Sequence, residues 1–580
     1  MRKQSVVAAL GLVSLVSFPV FADLSMTMVG RYQSGIYGEG AAEIIDYHQK
    51  TQKAYVVNGA KNRVDIIDLS AVNTTAVKNP LTASTLSAQY LQLPQSVTLA
   101  SKQIVPLGGA NSLSIYNDLL AIAVANEDKQ AKGVVLFYRL DSASPELITA
   151  VEVGSLPDMV TFTPDGSKAI VANEGEPSSD YKRDPNGSIS VIAIKQGKPE
   201  GIATMLGFEK FEEQKAALIA DGFKFASPKN SSLAQDIEPE YITVSQDSKK
   251  AWVSLQENNA LAEVDLSSLT ITQIHGLGYK DLGDEKNALD VSDKDQAINI
   301  KPRRGVFSLY QPDTITSYSV DGEQYIVTAN EGDARDYWFS APNEVACINA
   351  GGLEFDEEDG CLGYSEETRA GKLALSEHHP QAKNLSKAEL GRLKVTTALG
   401  DENNDGVFEK LFAYGGRSFS IWNSQGEQVF DSGSDFERIT ADRLGSMFNS
   451  DESKNKGDSR SDDKGVEPEA LAIGQVNDRT YAFIGLERMG GIFIYDITKP
   501  SEAKYIDYIL NRATGAEYKI DDSTSPVTLS GRYQQAGDLA PEGIKFIPAA
   551  YSPTKNAMLL VANEVSGTVS VYDVQSAIKH

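Results

Sequence analysis

Short apolar runs with the composition of β-strands recur along the whole chain and share a common pattern. The first strand of each unit begins with a small residue or proline, followed in order by an acid, any residue and an aliphatic residue. A second apolar strand follows, often ends in Asn-Glu, and leads to a third strand that ends in an aromatic-Asp or similar pair. Alternating β-branched and aromatic residues between turn residues indicate antiparallel sheet. The pattern predicts an all-β fold.

The unit occurs about seven times, which predicts a seven-bladed β-propeller, with six or eight blades as alternatives. The first strand of each unit is AAEII (41–45), GANSLSI (109–115), LPDMVTF (156–162), EPEYITVS (238–245), QPDTITSY (311–318), EPEALAIG (467–474) and APEGIKFI (540–547). The fifth unit is interrupted and resumes near 411–423. We expect the segment 24–32 to pair outside 567–574 and so to close the ring.

We expect residues 23–580 to form one propeller domain with long insertions. These lie near 70–108, 195–237, 267–310, 338–406, 424–465 and 498–539. A helical piece is predicted at 210–218. The segment 451–464 is charged and poor in apolar residues, which predicts a solvated, mobile loop.

Acidic residues stand where first strands begin and second strands end. In an antiparallel hairpin these two positions are neighbours, so we expect the acids to meet at one mouth of the central channel. The candidate metal ligands are Glu43, Asp158, Glu174, Glu240, Glu257, Asp313, Glu331, Glu469, Glu487, Glu542 and Glu564. Carboxylates at such range raise one another's pKa values, and a hard divalent cation, Ca²⁺ above all, would relieve the repulsion. The alternative is that Asn-Glu is only turn chemistry.

Three arginines follow or lie close to the same motifs: Arg335, Arg417 and Arg488. Beside a bound cation, they would form a receptor for phosphate or carboxylate. Alternatively, each neutralises neighbouring acids in a salt-bridge network.

A second possible ion site is the segment 401–409, where Asp401, Asn403 and Asp405 have the spacing of an EF-hand loop. Its twelfth position is Phe412 instead of glutamate, and a hairpin turn is the alternative interpretation of the segment. Cys347 and Cys361 lie in one insertion and are predicted to form a disulfide, with catalytic or metal-binding thiols as the alternative. The five histidines are scattered, which argues against a zinc centre.

The composition of the chain and its first residues indicate the compartment and the class of partner. The chain has 580 residues, a net charge of −26 and 41% hydrophobic residues, so it can bury a core and lacks the basic footprint of a nucleic-acid binder. Residues 1–22 have the basic start, apolar stretch and small-residue end of a signal peptide, with a membrane anchor as the alternative. No later segment is long and apolar enough to span a membrane. We therefore expect a periplasmic or secreted protein whose partners include divalent cations.

The motifs EPEYI, VANEGEP, TANEGDARDY, FAYGGRSFSIWN, VEPEALAI and APEGIKF resemble the bacterial choice-of-anchor I propeller family. That family includes proteins called mesenchyme-specific cell-surface glycoprotein-like, and some members carry an alkaline phosphatase label. The resemblance covers nearly all of the chain after residue 22 and implies a secreted or surface propeller, with phosphatase activity in some members. The chain also has a weaker, architectural similarity to calcium-dependent propeller phosphatases and phytases. Because fold alone does not determine function, this similarity assigns no catalytic residue.

Two functions follow as hypotheses. The first is a calcium-dependent phosphoesterase acting on a phosphorylated small molecule through a metal-activated water. The second is a non-catalytic, calcium-stabilised propeller that binds protein, peptide or glycan at the cell surface. A quinone-dependent dehydrogenase has little support, because the chain has three tryptophans and no cofactor motif.

Overall fold

Seven sheets with the four-strand path of a propeller blade make up most of the structure. It is a computed structural model that describes residues 23–142, 144–357 and 359–577. The predicted signal peptide at 1–22 lies outside these residues. In each sheet consecutive strands pair antiparallel, as expected for strands whose side chains alternate between two buried faces. The predicted all-β propeller is confirmed.

We number the sheets as blades 1 to 7 in chain order, with strands given from the channel outwards. Blade 1 is Ile45–His48, Lys53–Asn58, Arg63–Asp68 and Ala88–Gln92. Blade 2 is Ile104–Tyr116, Leu119–Asn126, Lys132–Arg139 and Glu146–Ser155, with Ser96–Thr98 added. Blade 3 is Pro157–Phe162, Lys168–Asn173, Ser188–Lys195 and Thr204–Gly207, with Lys198–Pro199 added. Blade 4 is Pro239–Val244, Lys250–Leu255, Ala260–Asp265 and Thr270–Gly276.

Blades 5 to 7 follow the same order. Blade 5 is Ile315–Val320, Glu323–Asn330, Ser418–Asn423 and Gln428–Asp431. Blade 6 is Pro468–Val476, Arg479–Leu486, Ile492–Asp496 and Lys504–Ile509. Blade 7 is Pro541–Ile547, Ala557–Asn563, Thr568–Ala577 and, outermost, Asp23–Gln33.

The first strands of the blades contact one another in a closed cycle around a central channel. The ring closes where Asp23–Gln33 pairs antiparallel with Thr568–Ala577. This pairing of the N-terminal strand outside the last repeat is the one expected from the sequence. Apolar clusters fill the spaces between neighbouring blades, for example between Ile170 of blade 3 and Val253 of blade 4.

The insertions add secondary structure of their own. One five-stranded sheet is formed by Tyr279–Asp281, Val306–Leu309, Leu411–Ala413, Lys394–Thr396 and Glu367–Arg369. The smaller sheets are Asp336–Phe339 with Gly360–Ser365 and Glu354–Asp356, Ala374–Leu375 with Val407–Phe408, and Tyr518–Asp521 with Thr528–Gly531. The α-helices are Lys215–Ala220, Leu233–Asp236, Glu344–Ala350 and Asp435–Leu444. The 3-10 helices are Gly59–Lys61, Glu209–Gln214, Glu285–Asn287, Ala370–Lys372, Gly445–Met447, Pro500–Glu502 and Tyr533–Gln535.

The segment 451–464 differs from its prediction as a solvated, mobile loop. It has no regular secondary structure, yet Glu452 and Ser461 are buried. The amide of Asn455 donates hydrogen bonds to the carbonyls of Ala513 (2.8 Å) and Ala516 (2.7 Å). Polar contacts of this kind hold the segment in place, and a hydropathy pattern does not register them. We call this segment the polar strap.

The predicted disulfide between Cys347 and Cys361 is present, and both residues are fully buried. It links Glu344–Ala350 to Gly360–Ser365 within the blade 5 insertion. Along the described part of the chain, no helix has the length and hydropathy needed to cross a membrane.

Candidate functional site

The acids of the first strands stand at irregularities in their hairpins. The register of the first hairpin shifts at the predicted acid in four blades: between Pro157 and Met159, Pro239 and Ile242, Pro468 and Leu471, and Pro541 and Gly543. In blade 2 it shifts between Ala110 and Ser112, where Asn111 takes the place of the acid. The residue before the proline has a positive φ at Leu156, Gln311, Glu467 and Ala540. A β-bulge changes the direction of a side chain, which allows these acids to leave the normal alternation of the strand.

The Asn-Glu pairs at the ends of the second strands divide their roles. The asparagine is buried within its own blade: the amide of Asn173 donates to the Ser190 hydroxyl (2.9 Å), and the amide of Asn330 donates to the Ser420 hydroxyl (2.8 Å). The glutamate that follows is then placed beyond the strand end. The asparagine therefore has a structural role in its own blade, whereas the glutamate side chain is available to the channel.

These acids surround one cavity of about 400 Å³ at one end of the channel, which we call the acidic mouth. It is lined by eleven acidic side chains, two basic ones and one amide: Glu43, Asp158, Glu174, Glu240, Asp313, Glu331, Asp333, Glu469, Glu487, Glu542, Glu564, Lys464, Arg488 and Gln256. Ten of the eleven candidate ligands lie here. The eleventh, Glu257, lines an adjoining cavity, and the corresponding acid of blade 2, Glu127, is exposed.

Burial and mutual repulsion disfavour the ionised forms of these carboxyl groups. Burial, and then the charges of Glu542, Glu564 and Asp158, raise the pKa of Glu43 to about 9. Burial and then Glu564 raise the pKa of Glu542 to about 8. Burial alone raises the pKa of Asp158 to about 6. A cation that binds these carboxylates would displace the protons they hold and lower their pKa values, so its affinity would rise with pH.

Within the mouth, two groups of carboxylates have the spacing of ligands to a single ion. Oxygens of Asp313, Glu331 and Glu469 lie within 4.8 Å of one another, and so do those of Glu331, Glu467 and Glu487. One oxygen of Glu469 is buried without a hydrogen-bond partner, as is one of Glu240. Carboxylate oxygens at this spacing with unused lone pairs match the ligand preference of Ca²⁺. The residues present therefore fit a divalent cation.

Two basic side chains, one of them not predicted, already neutralise the second group. The ammonium of Lys464, at the end of the polar strap, lies 2.9 Å from Glu331 and 3.3 Å from Glu467. Arg488 lies 2.9 Å from Glu467 and 3.0 Å from Glu487. Burial raises the pKa of Glu467, but the charges of Arg460, Lys464 and Arg488 outweigh it and hold that pKa well below its usual range. The first group, by contrast, meets Lys464 only through Glu331.

The sequence contained one signal for Lys464: it lies just upstream of Glu467-Pro-Glu469 and so close to the start of a first strand. Asp333 was also missed. It follows the second-strand acid Glu331 by two positions and lines the mouth beside it.

Two of the three candidate anion-binding arginines are placed elsewhere. Arg335 is fully buried and donates from both terminal nitrogens, to the Glu238 carboxylate (2.5 Å) and to the Asp236 carbonyl (2.6 Å). Arg417 is buried against Glu437 (2.6 Å). Neither lines the mouth. The salt-bridge interpretation accounts for both, and of the three only Arg488 faces the cavity.

The Asp401 segment forms a turn. The backbone N–H of Asp405 donates to the side chains of Asp401 (3.1 Å) and Asn403 (2.9 Å), and that of Gly406 donates to Asp401 (2.8 Å). The flanking strands Lys394–Thr396 and Leu411–Ala413 pair antiparallel. The oxygens proposed as ligands are thus engaged by their own backbone, as in an Asx turn.

Comparison with curated proteins gives two relatives. The chain is 34% identical to Gigasin-3a of Magallana gigas over 200 residues, which cover 32% of this chain and 66% of that protein. It is 27% identical to a mesenchyme-specific cell surface glycoprotein of Strongylocentrotus purpuratus over 358 residues, covering 55% of this chain and 44% of the relative. The matches span just under two thirds of the first relative's length and under half of the second's.

Two solved structures align with most of the chain at low sequence identity. Hydrazine synthase of Kuenenia stuttgartiensis aligns with a TM-score of 0.44 at 11% identity, covering 94% of this chain and 98% of that one. The WD40 domain of Toxoplasma gondii coronin aligns with a TM-score of 0.43 at 8% identity, covering 97% of this chain and 88% of that one.

The sequence matches the family model described as the choice-of-anchor I domain over residues 43–500. This chain therefore belongs to the choice-of-anchor I domain family.

Proposed function

We propose that this protein is a periplasmic or cell-exterior propeller that binds calcium at the acidic mouth. The observation that carries the proposal is the group formed by Asp313, Glu331 and Glu469, whose oxygens lie within 4.8 Å of one another while one Glu469 oxygen has no partner. Burial and then Glu331 raise the pKa of Asp313 well above its usual value. A divalent cation is the ligand that removes this repulsion.

The compartment is supported by two independent observations. One relative is named as a cell surface glycoprotein. The chain itself carries a buried disulfide between Cys347 and Cys361, and structural disulfides persist mainly in oxidising compartments. Calcium is abundant outside the cytoplasm, so a site of modest affinity would be filled there.

The test is calcium binding by the chelator-treated full chain, measured by titration calorimetry. We expect saturable binding that Asp313→Asn and Glu469→Gln each weaken at least tenfold. Glu127→Gln is the matched control, because Glu127 holds the same Asn-Glu position but is exposed outside the mouth. Absence of saturable binding at millimolar calcium, or an equal loss in Glu127→Gln, would refute the proposal.

A calcium-dependent phosphoesterase is the second candidate, and Arg488 is the observation in its favour. Its guanidinium lines the same cavity as the candidate ligands, where it pairs with Glu452, Glu467 and Glu487. To bind an anion it would have to give up one of these pairs. A bound divalent cation would polarise a phosphoryl oxygen. Hydrolysis of a chromogenic phosphomonoester should then require calcium and fall in Arg488→Lys. Inactivity at every metal loading would leave the binding function alone.

A further inference from the structure

A second cavity, of about 430 Å³, opens beside the acidic mouth, and we call it the side pocket. It shares Glu174, Glu240, Asp333, Lys464 and Arg488 with the mouth. The rest of its lining combines charged groups with two tyrosines and an alanine: Glu176, Glu257, Ala334, Asp336, Tyr337, Glu367, Lys394, Tyr414, Arg460 and Asp463. Eight acidic and four basic side chains therefore meet in one space that is large enough for a small organic molecule.

The basic side chains of the side pocket are already paired. Lys394 lies 2.9 Å from Glu367 and 3.3 Å from Asp463. Arg460 lies 3.1 Å from Asp463 and pairs with Glu467 at 2.5 Å. Lys464 and Arg488 are held by the acids of the mouth. The basic groups thus have little positive charge left for an incoming anion.

Two other acids of the side pocket have no such partners in the part of the chain that the structure describes. Glu257 is 6% exposed, and its Oε2 makes no hydrogen bond; the buried Oε2 of Glu240 is also without a partner. Among the described residues neither carboxylate forms an ion pair with a lysine or arginine, although the charge of Arg335 partly opposes the rise that burial causes in the pKa of Glu257. A buried carboxylate oxygen without a donor is costly. A ligand that donates hydrogen bonds and carries positive charge would satisfy both groups.

The spacing of these acids favours a cation larger than a metal ion. The close groups of three among the described residues lie in the mouth, and neither includes Glu174, Glu240 or Glu257. Tyr337 and Tyr414 form part of the wall, and aromatic faces attract organic cations. The Lys224 ammonium already lies 5.2 Å from the centroid of the Tyr414 ring, which leaves Tyr337 for the ligand. An alkylammonium group has the three donors, the charge and the apolar stem that suit such a wall.

We propose that the side pocket binds a small organic cation bearing a primary ammonium group, held by Glu257, Glu240 and Glu174. The ammonium could belong to a free polyamine or to a lysine side chain of another protein; the recognition chemistry is the same. The site is separate from the calcium site, although both cavities share Glu174 and Glu240. Filling one should therefore weaken the other moderately.

The experiment uses the calcium-loaded full chain and titration calorimetry with three probes. These are cadaverine, a blocked lysine (Nα-acetyl-lysine N-methylamide), and 1-pentanol as a neutral counterpart of similar length. We expect saturable binding of at least one amine and none of pentanol. A preference for cadaverine identifies a free polyamine, and a preference for the lysine derivative identifies a protein partner.

The matched variants are Glu257→Gln, expected to weaken amine binding at least tenfold, and Glu127→Gln, expected to leave it unchanged. Should Glu257→Gln fail to fold, Glu174→Gln gives the same readout from a less buried member of the proposed ammonium site. No binding of either amine at millimolar concentrations, or unchanged affinity in both wall variants, would overturn the proposal. Asp313→Asn separates the two sites: it should weaken calcium binding at least tenfold and leave amine binding as strong as in the wild type or moderately stronger. The amine site stands even if calcium never binds.

Discussion

Replacing Lys464 with methionine would remove the positive charge that the polar strap delivers to the acidic mouth. The ammonium lies 2.9 Å from Glu331, 3.3 Å from Glu467 and 3.7 Å from Asp333, and its side chain is 14% exposed. Methionine retains most of the volume and the apolar stem, so the change acts mainly on charge. We expect a less stable protein when calcium is absent.

The size of the effect follows from these contacts. At an effective dielectric constant of about 20, a pair of unit charges at the Lys464–Glu331 distance attracts by about 6 kcal/mol. Desolvation of the ammonium offsets much of this, and removal of one partner from a buried ion pair costs about 3–5 kcal/mol. Glu467 keeps Arg460 and Arg488, and Glu331 keeps a hydrogen bond from Gln256. We therefore expect the free energy of unfolding to fall by about 3 kcal/mol, the lower end of that range.

Denaturant unfolding of chelator-treated protein, followed by tryptophan fluorescence, measures this loss. Calcium at about a hundred times its dissociation constant should restore about 2.7 kcal/mol, because it binds only the folded mouth. Lys249→Met is the matched control: Lys249 pairs with Asp247 at 3.4 Å on the surface, and such pairs contribute under about 1 kcal/mol. A Lys464→Met protein that unfolds with the same midpoint as wild type in chelator would refute the counter-ion argument.

Three further predictions concern the pH dependence, the buried arginine and the disulfide. The raised pKa values of Glu43 (about 9) and Glu542 (about 8) mean that the calcium-free folded state holds protons that the unfolded chain has lost. Its stability should therefore fall as the pH rises from about 5 to 9, and denaturant midpoints that stay flat or rise across this range would contradict the assignment. Arg417→Met should cost about 3–5 kcal/mol by leaving Glu437 buried and unpaired, with calcium stoichiometry unchanged in whatever protein folds; a soluble, equally stable variant would show that the ion pair is dispensable. Cys347→Ser should speed proteolysis within the blade 5 insertion, followed by gel, because the disulfide closes only a local loop. The propeller should still melt at nearly the wild-type temperature in calorimetry, and a lower melting temperature of the whole protein would contradict this prediction.

The propeller and the acidic mouth could be predicted because both depend on local pairing. A hairpin brings the start of a first strand beside the end of the second, so the motif around Asp158 and Glu174 already contains its own geometry. Repetition of that hairpin then places the acids of separate blades around one axis. Neither step requires knowledge of contacts between distant segments.

The partners of Arg335 and Arg417 and the fixed position of the polar strap could not be predicted, because the contacting segments are distant in sequence. Arg335 follows Glu331 by only four positions, yet its guanidinium reaches Glu238, just before the first strand of blade 4. Arg417 likewise pairs with Glu437 in a helix of the next insertion. The polar strap is fixed by hydrogen bonds to the backbone of a further segment, for example from Asn455 to Ala513. No local periodicity carries such information.

Closure of the ring by Asp23–Gln33 against Thr568–Ala577 has a consequence for how fragments of this protein should be cut. The family match ends at residue 500 and begins at residue 43, so an expression fragment trimmed to those limits would omit all of blade 7 and leave blades 1 and 6 without their neighbour. Such a fragment would expose the apolar flanks of both blades and should aggregate. A usable fragment must therefore contain both Asp23–Gln33 and Thr568–Ala577.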